Sequence, residues 1–317
     1  MGKEGLVSNM RVVITEFMDE EALEGFGPSF DVEYDPALVE DREALLEKVS
    51  DADALIVRHR TRVDHELLEA APNLKVVGRL GVGVDNINLE ACGFRKVDVC
   101  PATGANTTSV VEYVLTAALM LVRGAYRTNH RMVAGEWPRN ELIGGEVSGR
   151  LLGLYGFGGI SRAVAEKARA LGMKIAAYDP FVPDDDPAWK NVIRLSKEDL
   201  LGRADVLSLH VPATPQTYML MNSETLALMK PDAVLINTAR GTIVDYRALC
   251  EQLKKGRLGG AALDVFWEEP LTAEAAETFM NVPNLLLTPH IAGVTEEGTR
   301  RVSSVTIENV KRALLKA

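Results

Sequence analysis

Short runs of apolar, β-branched residues alternate with longer amphipathic stretches along most of the chain. In the first hundred residues RVVITEF (11–17), DALIVR (53–58) and LKVVGRL (74–80) read as strands, and DEEALEGF (19–26) reads as a helix. Short apolar strands separated by helices predict a parallel sheet of βαβ units. Near PATGANTTSVVEY (101–113), Gly104, Asn106 and a Ser109-x-x-Glu112 capping box predict the start of a long helix. Its apolar part, VVEYVLTAALMLV (110–122), is too short to cross a bilayer and contains Glu112, so it reads as a buried helix. After a polar, loop-rich stretch (135–149) a second α/β series begins. Its strands are RLLGLYGF (150–157), KIAAYD (174–179), VLSLHVP (206–212), AVLINTA (233–239), GAALDVF (260–266) and LLLTPHI (285–291). Its helices are GISRAVAEKARALG (159–172), SETLALMK (223–230) and YRALCEQLKKG (246–256). The amphipathic pattern from 295 to the end predicts one long helix, expected to pack back on the first domain.

A chain of 317 residues suits two domains. Hydrophobic residues at 47% and charged residues at 25% give a globular balance. The formal net charge of −10 argues against nucleic acid and anionic membranes as partners. It also means that an anionic substrate would need arginines inside a cleft to reverse the local field. Cys92, Cys100 and Cys250 form no CxxC pair and are odd in number, so no disulfide framework or zinc site is expected, and a reducing cytoplasm fits. The opening MGKEGLVSNMRVVITEF has no long apolar run behind a basic tip, so no signal peptide is expected. The acidic PDDDP (183–187) reads as a solvated loop and not a metal site, because its prolines oppose a preshaped cage. No metal is expected.

GLYGFGGIS (153–161) lies between a predicted strand and a predicted helix. Gly156 permits a tight turn, and Gly158 lets the backbone approach a pyrophosphate at the helix N-terminus, where unpaired N–H groups and the helix dipole favour an anion. Ser161 stands at the third glycine position and is expected to loosen the helix–strand contact. Asp179 ends the next strand, where a carboxylate takes ribose hydroxyls and repels the extra phosphate of NADP. With no basic residue in DPFVPDDDP, NAD is expected over NADP.

NTARG (237–241), LDVFWEEP (263–270) and TPHIAG (288–293) each carry a reactive residue at the end of a predicted strand. Strand C-termini of a doubly wound sheet face the ligand crevice, so Arg240, Glu269 and His290 are expected to converge beside the nucleotide. Interconverting a 2-hydroxy acid and a 2-keto acid needs a hydride carrier, a proton shuttle and a carboxylate clamp. Histidine shuttles protons near neutral pH, a neighbouring carboxylate orients such an imidazole, and a guanidinium offers paired donors to a carboxylate and polarises a keto oxygen.

These segments, together with GVGVDNI (81–87), GANTTSVVEY (104–113), YDP (178–180), LHVPATPQT (209–217), NTARGTIVD (237–245) and GAALDVFWEEPL (260–271), resemble the D-isomer-specific 2-hydroxyacid dehydrogenase family, which includes 3-phosphoglycerate dehydrogenases. The resemblance runs from about residue 10 to the end. It implies an α/β fold of two doubly wound parallel-sheet domains. A Rossmann NAD-binding domain (102–290) would be inserted in a flavodoxin-like substrate-binding domain (1–101 and 291–317). It implies His290 as acid/base, Glu269 as its partner and Arg240 as the substrate-binding arginine. Gly159 and Ile160 would approach the pyrophosphate. Thr238 would face the nicotinamide side and Asp264 would hold the carboxamide. His210, Pro212, Thr217 and Gly293 would complete the cofactor contacts, which also include Arg240 and His290. Backbone groups around Val82 and Gly83 would receive the substrate carboxylate. The family is usually dimeric through the cofactor domain, which makes 124–149 the arm toward a partner and Trp137 a candidate anchor, or else a cover for its own domain.

IVRHRTRV (56–63) puts Arg58, Arg60 and Arg62 on one face if the strand continues. By resemblance Arg58 and Arg60 meet a second anionic group, a phosphate or sulfonate; a solvated basic loop is the plainer alternative. 3-Phosphoglycerate and sulfolactate therefore stand level as substrates, with glyoxylate, hydroxypyruvate and D-lactate types as alternatives. On a chain ending at 317 no C-terminal regulatory domain is expected. Two rivals remain. One is formate oxidation, which pairs its histidine with glutamine. The other is a nucleotide-sensing corepressor, which the acidic charge and the intact Arg–Glu–His set oppose.

Overall fold

The computed structural model describes residues 9–126 and 128–316; residues 1–8, on which the signal-peptide expectation rests in part, lie outside it. The chain divides into two compact units, Met1–Asn106 with Thr295–Ala317, and Thr107–Val294.

The first unit holds a five-stranded parallel sheet in the order β2-β1-β3-β4-β5: β1 (Met10–Ile14), β2 (Phe30–Tyr34), β3 (Ala54–Val57), β4 (Val76–Arg79) and β5 (Asp98–Pro101). Alternation along the strands feeds two cores. Val13, Leu55, Val57 and Val77 pack with Leu45, Leu67 and Leu68 of the connecting helices. Val12, Ile14, Ala54, Ile56 and Val76 pack with Val302, Ile307, Val310 and Leu314 of the last helix. Each fully buried aliphatic side chain contributes about 1.5–3 kcal/mol. That helix, Glu296–Leu314, is capped by Thr295, whose Oγ1 accepts the Gly298 N–H at 2.9 Å. It lies so close to β4 that a Cβ on Gly78 would stand 2.5 Å from Val310.

The second unit holds a seven-stranded parallel sheet in the order β12-β11-β10-β9-β6-β7-β8. Its strands are β6 (Leu151–Tyr155), β7 (Lys174–Tyr178), β8 (Ile193–Arg194), β9 (Val206–Leu209), β10 (Val234–Asn237), β11 (Gly260–Leu263) and β12 (Leu285–Leu287). From β6 onward this is the 3-2-1-4-5-6 order of the Rossmann fold with one further strand, and the first unit has the flavodoxin order 2-1-3-4-5. Leu152, Leu154, Val206 and Ile236 face the helix Thr107–Arg123 through Val110, Val114 and Ala118. Leu207, Leu209, Leu235 and Leu263 face Leu200, Leu249 and Leu253. Among the described residues no helix is long and apolar enough to cross a membrane.

Three local expectations are corrected. Residues 20–25 form a 3-10 helix whose N-cap, Asp19, makes no side-chain cap bond. The long helix starts at Thr107, so Ser109 is buried inside its first turn and is not the cap. The strands β9 to β12 stop two to four residues before their apolar runs do, because the chain there leaves the sheet to build loops.

Candidate active site

The glycine loop follows β6. Gly156 has φ 91°, and a Cβ there would stand 2.4 Å from the His210 carbonyl oxygen after β9, so only glycine lets these two neighbouring strand ends approach. Gly158 and Gly159 open the twelve-residue helix Gly159–Ala170, with nothing within 4 Å of where their side chains would be. The first-turn amides, including that of half-buried Ile160, thus border room for an anionic group. Ser161 is wholly buried and its Oγ donates to the Gly158 carbonyl at 3.0 Å, which satisfies the hydroxyl inside the turn. Asp179 stands one residue beyond β7. Its Oδ2 accepts the Phe157 N–H at 2.7 Å and its Oδ1 the Phe181 N–H at 2.9 Å, which fixes the carboxylate beside the glycine loop.

Nearby, desolvation pushes the His210 imidazole down to about 4, so it is neutral near pH 7, and its Nε2 lies 2.9 Å from Ser208 Oγ. Thr217 Oγ1 donates to the Pro212 carbonyl at 2.6 Å, closing the 212–217 turn. The acidic loop is held by arginines, Asp186 to Arg162 at 3.0 Å and Asp184 to Arg194.

Three loops leave adjacent strands β10, β11 and β12 at their C-terminal ends and carry Arg240, Glu269 and His290. The first is shaped by Asn237, which is fully buried. Its Oδ1 accepts the Ala239 N–H at 3.0 Å and its Nδ2 donates to the Arg240 carbonyl at 2.9 Å, with half-buried Thr238 between them. Arg240 Nη1 donates to the Ala239 carbonyl at 2.6 Å. A Cβ on Gly241 would fall 2.1 Å from the carbonyl carbon of Phe266, so this turn sits directly on the next one. There Glu269 folds back, with Oε1 accepting the Phe266 N–H at 2.8 Å and Oε2 lying 2.6 Å from His290 Nδ1. The carboxylate therefore engages the imidazole at Nδ1.

His290 itself has φ 56°, a left-handed conformation costly for a residue with a Cβ. Asp264, 1% exposed, holds that backbone in place. Its carboxylate accepts Thr288 Oγ1 at 2.6 Å and the N–H groups of Ile291 and Ala292 at 2.8 Å each, and its carbonyl accepts the His290 N–H at 2.7 Å. Burial pushes the Asp264 carboxyl upward, and these hydrogen bonds pull against that. Tyr113 Oη lies 2.5 Å from Thr288 Oγ1, extending the chain of contacts to the helix Thr107–Arg123. Gly293 follows, half-buried. Asn237, Gly241, Thr288 and Tyr113 were not singled out from the sequence. A polar residue closing each apolar run, as Asn237 and Thr288 do, was the available signal.

The remaining expected residues lie in the first unit. Val82 and Gly83 follow β4 in a loop where Gly81 has φ 136° and the Arg79 guanidinium lies against it, with Nη1 donating to the Leu80 carbonyl at 2.8 Å. Because β3 ends at Val57, Arg58, Arg60 and Arg62 occupy a loop, and strand alternation does not put them on one face. Arg58 is half-buried, its guanidinium 6.0 Å over the Phe17 ring, while Arg60 reaches Glu40 at 2.6 Å. Arg62 lends its carbonyl to Arg42 at 2.8 Å.

Residues 115–292 match the family described as D-isomer specific 2-hydroxyacid dehydrogenase, NAD binding domain. The (S)-sulfolactate dehydrogenase of Chromohalobacter salexigens is 54% identical over 304 residues, covering 96% of this chain and 98% of that protein. The D-3-phosphoglycerate dehydrogenase of Methanocaldococcus jannaschii is 37% identical over 96% of this chain, which spans 57% of that protein's length. A crystal structure of a Thermus thermophilus protein superposes with a TM-score of 0.87 at 35% identity, over 97% of both chains.

Proposed function

The chain belongs to the D-isomer-specific 2-hydroxyacid dehydrogenases and uses NAD, and on that premise we propose that it interconverts (S)-sulfolactate and sulfopyruvate. The 54% identity over nearly the whole of both chains carries the choice of substrate. Sulfolactate and 3-phosphoglycerate each pair a 2-hydroxy carboxylate with a distal anion. The relative named for the phosphorylated acid is both more distant and much longer. The descriptor (S) agrees with the D series here: sulfur on C3 outranks the carboxyl oxygens and reverses the label without moving a group.

Arg240 binds the substrate carboxylate and the C2 oxygen. His290 Nε2 takes the hydroxyl proton as C2 releases its hydride, and the C2–O bond becomes a carbonyl. Glu269 stabilises the imidazolium formed and keeps Nε2 aimed at the oxygen. Bound NAD supplies the hydride acceptor. The glycine loop and Asp179 hold its pyrophosphate and ribose; His210, Pro212, Thr217, Thr238, Asp264 and Gly293 line the rest of its course, and Asp179 disfavours NADP. Val82 and Gly83 offer backbone N–H groups to the carboxylate, and Arg58 and Arg60 meet the sulfonate. The first unit is thus the substrate domain and the second the cofactor domain. The protein works in the cytoplasm as a homodimer joined through the second unit.

The test is NAD reduction with both sulfolactate enantiomers, 3-phosphoglycerate, D-glycerate and D-lactate. (S)-Sulfolactate is expected to give the highest kcat/KM, by at least tenfold. Preference for 3-phosphoglycerate would overturn the substrate assignment, and no turnover with any of them would overturn the catalytic one.

A further inference from the structure

In the order β2-β1-β3-β4-β5, the ends of β1 and β3 form the topological switch point, where open parallel sheets receive ligands. What stands there is a carboxylate. Glu16 follows β1 with only 5% of its side chain exposed. Its Oε1 accepts the N–H groups of Arg58 at 2.8 Å and Thr61 at 3.0 Å. Its Oε2 accepts those of His59 at 3.2 Å and Arg60 at 3.1 Å. Four consecutive amides converging on one anion form a nest. Burial alone pushes Glu16 upward, but the four amides outweigh it and hold the carboxyl below the usual range. Thr15 Oγ1 adds a contact to Thr61 Oγ1 at 2.8 Å.

The sheet does not need this latch. β1 and β3 already pair from Val12–Ala54 to Ile14–Ile56, and the latch acts only on the loop beyond. That loop carries Arg58 and Arg60. A segment held in one conformation before binding spares the substrate the cost of ordering it. A carboxylate next to an anion site would normally repel the ligand, and here its charge is absorbed by four N–H dipoles pointing inward.

We propose that Glu16 is a positioning residue for substrate selection: by fixing the backbone of residues 58–61 it sets the preference for a 2-hydroxy acid bearing a second anion, without touching the substrate. The proposal rests on the reading of Arg58 and Arg60 as the distal-anion residues.

The experiment compares sulfopyruvate and glyoxylate reduction by NADH in Glu16→Gln, Glu16→Asp, Arg58→Ala and Arg60→Ala. In Glu16→Gln an amide NH2 faces backbone donors, so the nest is broken. KM for sulfopyruvate is expected to rise at least tenfold with kcat within twofold, while kcat/KM for glyoxylate changes at most twofold. Glu16→Asp retains the charge and should recover part of the sulfopyruvate KM. Equal losses on both substrates in Glu16→Gln, with the arginine variants striking sulfopyruvate selectively, overturn the role of Glu16 alone. Arginine variants that affect both substrates alike overturn the distal-anion reading and this proposal with it. A thermal melt followed by circular dichroism reports folding; if Glu16→Gln fails there, the same ratio of the two substrates is read in Glu16→Asp, and an unchanged ratio overturns the proposal.

Discussion

Glu269 holds His290 by Nδ1 at 2.6 Å while its other oxygen takes the N–H of Phe266 at 2.8 Å, so one side chain fixes both an imidazole and its own turn. Removing the imidazole should cost more than removing the charge beside it. His290→Asn is expected to lower kcat/KM about 1,000-fold and Glu269→Gln about 100-fold, within the range of general acid–base contributions. NADH affinity measured by fluorescence should move less than about threefold in both. Near-normal turnover in His290→Asn would assign proton transfer elsewhere.

The left-handed backbone at His290 is held by hydrogen bonds that converge on Asp264. Thr288→Val keeps the shape of the side chain but removes the hydroxyl that links Tyr113 to Asp264. It leaves a 1% exposed carboxylate short of one donor, a loss of about 1.5–3 kcal/mol for a hydrogen bond to a charged group. We expect kcat to fall about tenfold with the KM for substrate nearly unchanged. Steady-state kinetics beside a thermal melt checks this. A lowered melting temperature with full kcat would make the contact structural only.

The catalytic loops were more legible than the contacts that shape them. Arginine, glutamate and histidine at the ends of apolar runs announce chemistry by residue type. Asn237 and Glu16 instead bond to the backbone of turns, and Thr288 to a buried carboxylate distant in the chain; no periodicity records either. Central strands were legible because a parallel sheet covered on both faces leaves unbroken apolar runs. The strands without a clear apolar run, β2, β5 and β8, lie at sheet edges, are two to five residues long and each carry a charged residue, as FDVEY shows. Alternation does not order the arginines of 58–62, because the strand ends at Val57 and a turn has no fixed period.

The arm after the helix Thr107–Arg123 exposes apolar side chains that a lone subunit gains nothing by displaying. Val133 is 90% exposed, Trp137 77% and Ile143 83%. Arg131 pairs with Glu136 and Glu141 at 2.5 and 2.8 Å, so the segment has its own internal order. Such a patch fits burial against a second copy. Trp137→Glu is expected to convert a dimer into a monomer in sedimentation velocity at micromolar concentration. A wild-type protein that sediments as a monomer would remove the dimer from the account, and a variant that stays dimeric would move the interface away from Trp137.

The buried carboxylate of Glu16 also makes a prediction about acid stability. Its folded pKa lies below the ordinary 4.5, because the four backbone N–H bonds outweigh the burial that alone would raise it. Above 4.5 the side chain is ionised folded and unfolded alike, and its stabilisation is fully present. As pH falls from there through the folded value, the unfolded state takes up the proton first and the contribution is lost. Glu16→Gln has no such dependence. At pH 7 the variant should therefore melt lower, by about 2 kcal/mol for buried donors that lose a charged acceptor, or roughly 6 °C for a unit of this size. The gap should narrow steadily below pH 4.5. Melts of both proteins across that range, with NADH omitted, decide the point. A gap that stays constant into strong acid would mean that the side chain is held for its shape and not for its charge.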